Sequence, residues 1–158
     1  MTSPGIRMVC KAVLISAAAL AIGWSALAHD PLHRQRVPSR HDFQTTLTRL
    51  EQAVAANGLG IVTRANAQNG ARSLGQTIPG NQVWGVFAPR FALRMLQASV
   101  DAGIEAPLRL YIVEAPGGRV TVSYVQPSEV FAPYGSQELD AMAAELDDLL
   151  RRIVSEIR

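Results

Sequence analysis

The sequence predicts an α+β domain: a two-layer sandwich in which a four- to five-stranded, mainly antiparallel sheet is covered by three helices. Three observations carry that expectation. Residues 108–114 and 120–125 are rich in β-branched and aromatic side chains, and Ala115-Pro116-Gly117-Gly118 between them is a short hairpin connection. Apolar residues recur at helical spacing in three stretches, near residues 43–54, 91–100 and 139–157. The resulting order is helix, strand, strand, helix, strand, strand, helix, which lacks the strict alternation that builds a parallel sheet.

The chain begins with a different kind of segment. Arg7 and Lys11 precede an acid-free apolar run over residues 12–24, and Ser25-Ala26-Leu27-Ala28 places small residues where a signal peptidase cuts after Ala28. Residues 1–28 therefore read as a signal peptide, and the protein is expected in the periplasm or secreted. An uncleaved anchor is the competing reading, because residues 12–28 approach the lower limit of about 17 residues for a spanning helix. The Ala-x-Ala ending favours cleavage, which leaves no stable membrane insertion. Cys10 lies before the apolar run and not after it, so it does not read as a lipid-attachment cysteine.

Cleavage changes the composition that matters. The 158-residue chain carries 15 basic and 13 acidic residues. Arg7 and Lys11 leave with the signal and no acid does, so residues 29–158 are formally neutral, cysteine-free and without lysine. A neutral, exported domain is a poor nucleic-acid binder. Export permits disulfides, yet this domain must be held by its core alone, which a chain of this length can bury.

Residues 29–40 read as a flexible leader with two prolines, three arginines and two of the three histidines, plus one short edge strand near residues 33–37. The domain proper is expected over residues 41–158. Ser39 and Asp42 resemble a capping box, and Phe43, Leu47, Leu50 and Val54 then share one helical face until Asn57-Gly58 closes the helix. Residues 59–65 alternate as a strand, and residues 66–76 form a polar connection with a helical turn near 71–74. Pro79-Gly80 is a turn, and residues 83–87 are a strongly apolar strand. Pro89 opens the second helix, with Phe91, Leu93, Met95, Leu96 and Val100 as its apolar set and Gly103 as its end. Residues 128–135 read as a loop. In the last helix, over residues 136–157, Leu139, Met142, Leu146, Leu149, Ile153 and Ile157 form one stripe. Glu138 and Asp140 lie early while Arg151, Arg152 and Arg158 lie late, which complements the helix dipole.

From Phe43 onward the chain resembles the bacterial domain-of-unknown-function family numbered 302. The likeness rests on Asp42-Phe43-Gln44-Thr45-Thr46 leading to Leu50 and Asn57-Gly58-Leu59, on Phe87-Ala88-Pro89, on Ala106-Pro107-Leu108-Arg109-Leu110, and on Gly118-Arg119-Val120-Thr121-Val122-Ser123-Tyr124 followed by Pro127. It spans roughly residues 36–157. The resemblance implies a compact α+β fold in small domains that tend to pair, and no established activity. It supplies no catalytic residue. Many family members look like Phe-Gly-Asn-Pro where this chain has Phe87-Ala88-Pro89, so a role for that asparagine does not carry over.

Candidate chemistry is sparse. A nucleophilic triad would draw on His29, His33 or His41, all of which precede the predicted core, and no phosphate-binding glycine loop is present. Cleavage after Ala28 would make His29 the first residue, where its amine and imidazole chelate Cu(II) together, with His33, His41 and Asp30 as further ligands. A second candidate is a ligand pocket built from Asn81, Arg90, Tyr124 and Tyr134, in which Arg90 at a helix start holds an anion. Trp84 alternates with Val83 and Phe87 on the central strand: the plain reading is core on one side and helix packing on the other, and the sharper one is an exposed aromatic row that forms a homodimer face. The expected function is thus a non-enzymatic binding or accessory domain that self-associates as a dimer. Copper binding at the mature N-terminus is one alternative. An enzyme with a site assembled by the fold, using a shifted acid such as Glu114, is the other.

Overall fold

The computed structural model describes residues 33–158, so the signal-like segment and His29 lie outside the described residues. Five strands form one antiparallel sheet: β1 (Gln35–Pro38), β2 (Gly60–Asn66), β3 (Asn81–Phe87), β4 (Leu108–Glu114) and β5 (Val120–Tyr124). Their spatial order is β1-β5-β4-β3-β2. The β4–β5 hairpin turns through Gly117 and Gly118, both at left-handed φ of 93° and 81°. The second half of the expected leader belongs to the sheet. Arg36 and Val37 pair with Ser123 and Val122, and Arg40 N–H donates to the Ile157 carbonyl at 3.0 Å.

Helix α1 (Phe43–Ala56) is capped by Asp42 alone, whose carboxylate accepts the Thr45 N–H and hydroxyl, each at 2.8 Å. Ser39 does not cap it. Its hydroxyl lies 2.7 Å from that of buried Thr46 and accepts the His41 N–H, because the backbone turns between Ser39 and Asp42. Two helices too short to show periodicity are added to the three expected. They are α2 (Ala67–Ser73), capped by the Asn66 side chain at 3.0 Å, and α4 (Pro127–Phe131), which buries Phe131.

Helix α3 (Pro89–Ala98) differs most from expectation. It ends at Ser99, and Asp101–Glu105 form a separate 3-10 turn that contains Gly103. Only Phe91 and Met95, one turn apart, are buried; Leu93, Leu96 and Val100 face solvent. The five apolar residues exceed what one helical face can hold, so they divide between two.

The sheet is covered on one side only. Strand pairing places Trp84, Val86, Leu110, Ile112, Val122 and Tyr124 on the covered face. There they meet Leu47, Leu50 and Val54 of α1, and Leu139, Met142, Leu146, Leu150 and Ile153 of α5 (Gln137–Ser155). Trp84 is 1% exposed, and its indole donates to Gln82 Oε1 at 2.8 Å. It is a core residue and carries no exposed aromatic row. Arg64 stacks on the same indole, 4.7 Å from its centroid, while bonding Glu51 of α1 at 2.7 Å. Among the described residues no helix is long and apolar enough to cross a membrane.

Candidate functional site

Among the described residues, one face of the sheet is left without helical cover. Side chains alternate along a strand, so the register that sends Trp84 and Leu110 inward sends Val83, Gly85, Arg109, Tyr111 and Val113 outward. Arg36, Thr121 and Ser123 join them from β1 and β5. Val83, Tyr111, Val113 and Thr121 are half-buried and Ser123 is buried, whereas Arg36, Thr63, Ala65 and Arg109 are exposed. A β-branched and aromatic centre is thus ringed by polar and charged side chains.

One corner of this face is a groove of about 620 Å³ between β2, β3 and the segment leading into β4, lined by Thr63, Val83, Gly85, Glu105, Pro107 and Arg109. Gly85 forms its floor out of necessity. A Cβ there would collide with the Thr63 hydroxyl and lie 2.7 Å from Pro107 Cγ.

The four residues expected to build one pocket do not converge. Asn81 is on the uncovered face, where its side-chain amide donates to the Tyr111 hydroxyl at 2.8 Å. Tyr124 is on the covered face, where burial pushes its phenol above the ordinary range. Arg90 is already engaged: its guanidinium donates to the Gly58 carbonyl at 2.6 Å and the Asn57 carbonyl at 3.4 Å, and stacks over Phe91 at 4.6 Å. Its charge neutralises the carbonyl end of α1, where a cation is favoured, and is not presented to an anion. Tyr134 donates to Glu105 Oε1 at 3.0 Å, so it touches the groove only through that carboxylate. Desolvation first, then Glu105, push its phenol upward.

Glu114 has a structural partner. Its carboxylate accepts the Gly80 N–H at 2.9 Å while its own N–H donates to the Gly80 carbonyl at 2.8 Å, closing the turn before β3. His33 is exposed at a left-handed φ of 43°, and His41 is half-buried beside α1. Among the described residues no three His, Cys, Asp or Glu side chains are grouped as a metal ion requires.

The reading from sequence alone passed over Tyr111, Val113 and Arg109. The only signal was that β4 carries large side chains on both of its faces, Leu110 and Ile112 as well as Tyr111 and Val113. Such a strand belongs in a sheet with two occupied faces.

The architecture defines a class: an α+β sandwich whose antiparallel sheet is layered with helices on one side and bare on the other. The family model described as "Domain of unknown function DUF302" matches residues 35–157, and the chain belongs to that family. Among solved structures it is similar to the crystal structure of an uncharacterized conserved DUF302 protein from Bacillus stearothermophilus. That likeness has a TM-score of 0.71, covers 79% of this chain and 98% of that one, and comes at 18% sequence identity. It is a likeness of fold. No curated protein matches the chain.

Proposed function

We propose that this protein is an exported, non-enzymatic binding domain that pairs with a second copy of itself through the uncovered face of its sheet. The observation that carries the reading is the makeup of that face. Half-buried Val83, Tyr111, Val113 and Thr121 lie across the three central strands, and Arg36, Arg109 and Thr63 lie around them. An apolar and aromatic centre inside a polar rim is the anatomy of a protein interface. A two-fold pairing uses the same patch on both copies, so one bare face suffices. The signal-like grammar of residues 1–28 supports the exported address.

Native mass spectrometry of protein recovered outside the cytoplasm tests both parts together, with the expected species a dimer of chains beginning at His29. Val83→Glu places a charge at the centre of the patch and, by the arithmetic of a central interface residue, weakens pairing by about 2 kcal/mol or more, roughly thirtyfold. Thr121→Arg on the neighbouring strand acts in the same direction. Wild-type protein that stays monomeric in light scattering at high concentration overturns the self-association.

A further inference from the structure

On the opposite side of the sheet, a partly open apolar hollow of about 30 Å³ lies beneath α3, lined by Leu59, Val86, Phe91, Met95, Met142 and Leu146. The neighbouring core is close-packed: Leu50, Leu110, Leu139, Leu150 and Ile153 have no exposed surface. The space is therefore local to α3. Interiors seldom leave voids larger than a water molecule, and one water needs about 10–15 Å³ by this measure together with polar partners. The wall offers apolar side chains and no side-chain hydrogen-bonding group, so water is a poor occupant.

Three features of the wall favour an occupant that enters and leaves. First, α3 is a lid with a light hold. Only two of its ten residues are buried, no side chain caps its N-terminus at Ala88, and the chain turns extended at Ser99. Its polar ties are Arg94 to Glu145, bidentate at 2.8 and 2.7 Å, and Arg90 to the end of α1. Both are solvent-exposed, and exposed ion pairs are cheap to break. Second, Met95 of α3 and Met142 of α5 both line the space. Unbranched thioethers refill irregular volumes more readily than branched side chains do. Third, the outer side of the same helix carries exposed apolar side chains beside its two arginines. Leu93 and Leu96 are 60% and 45% exposed, and Val100 and Ile104 beyond them are 77% and 82% exposed. An apolar molecule arriving from water therefore meets exposed apolar side chains on the helix that borders the space.

We infer that the space beneath α3 is a binding site for a small apolar molecule, of the size of one aromatic ring or a short alkyl chain, which is admitted by an outward shift of α3. The hollow as it stands is smaller than such a ligand, so the lid must move and the two methionines must repack around it. Recognition here is by shape and burial, with no charged group committed to the ligand. The site lies on the covered side of the sheet, away from the pairing face, so a monomeric protein is equally able to bind.

Thermal melts with toluene, cyclohexane and 1-hexanol test the inference, since a ligand of the folded state alone must raise its melting temperature. At about ten times its dissociation constant, a fitting probe raises the wild-type midpoint by roughly 3–6 °C. Ala92→Leu, on the lid and half-buried, fills the space from within and abolishes the rise. Arg119→Ala, exposed at the β4–β5 turn and remote from both the space and the pairing face, leaves it intact. If Ala92→Leu does not fold, amide chemical shifts of the wild-type protein during a toluene titration give the answer, with changes expected in α3, α5 and the end of β3. No rise with any of the three probes, an equal rise in Ala92→Leu, or shifts spread over the whole surface overturns the inference.

Discussion

Gly80 sits against the ring of Phe43 at the start of α1, close enough that a Cβ at this position would lie 2.5 Å from two ring carbons. The same glycine exchanges two hydrogen bonds with Glu114, 34 residues away. That single residue joins α1, β3 and the end of β4. Gly80→Ala must push the ring or the turn, and overpacking of this kind costs about 1–3 kcal/mol. Urea denaturation is expected to show that loss, and Phe43→Leu in the same chain is expected to restore part of it, because neighbouring substitutions do not add. Pro79-Gly80 was legible as a turn from its residues alone. Its dependence on Phe43 and Glu114 was not, since nothing local couples positions so distant in sequence.

Among the elements, α3 shows how a pattern is misread. Phe91, Leu93, Met95, Leu96 and Val100 read as one buried face, yet the tertiary structure spends Phe91 and Met95 on the core and leaves the others in water. Beside that burial the exposed Arg94–Glu145 pair links the helix to α5, and the Arg94 guanidinium holds the Glu145 carboxyl below the usual carboxylate range. The Thr45 N–H likewise lowers Asp42 at the start of α1. A carboxylate whose folded pKa is depressed contributes stability that is complete above its unfolded pKa and is lost as pH falls through the folded value. Stability is therefore expected to be flat through neutral pH and to decline as pH drops below the usual carboxylate range, about 4. Glu145→Gln is expected to shallow that decline in melts taken from neutral pH down to strongly acid solution. A decline of unchanged slope would place the acid sensitivity elsewhere.

At the scale of the molecule, the sheet is closed at one edge by four residues. β1 pairs with β5 through Gln35–Pro38, and Val37 is buried against the covered face. A chain starting at His41 loses Val37, worth about 1.5–3 kcal/mol by its burial, and bares the edge of β5, an invitation to edge-to-edge association. Compared with a chain starting at His33, it is expected to melt lower and to aggregate on heating, as scattering during the melt would report. The edge strand expected near residues 33–37 is this β1. Its partner was not legible, because four residues carry too little pattern to show that they pair with β5, more than eighty positions away.

Local pattern alone determined the α+β class, the β4–β5 hairpin, α1 and α5, because the periodicity of apolar residues and the turn chemistry of glycine act within a few positions of one another. Family membership was legible as well, from short motifs in a fixed order. The tertiary structure decided which face of the sheet is covered, that Trp84 belongs to the core, and that Asn81, Arg90, Tyr124 and Tyr134 are dispersed. Each of those depends on strand order and register, which are set by contacts between residues far apart in the chain.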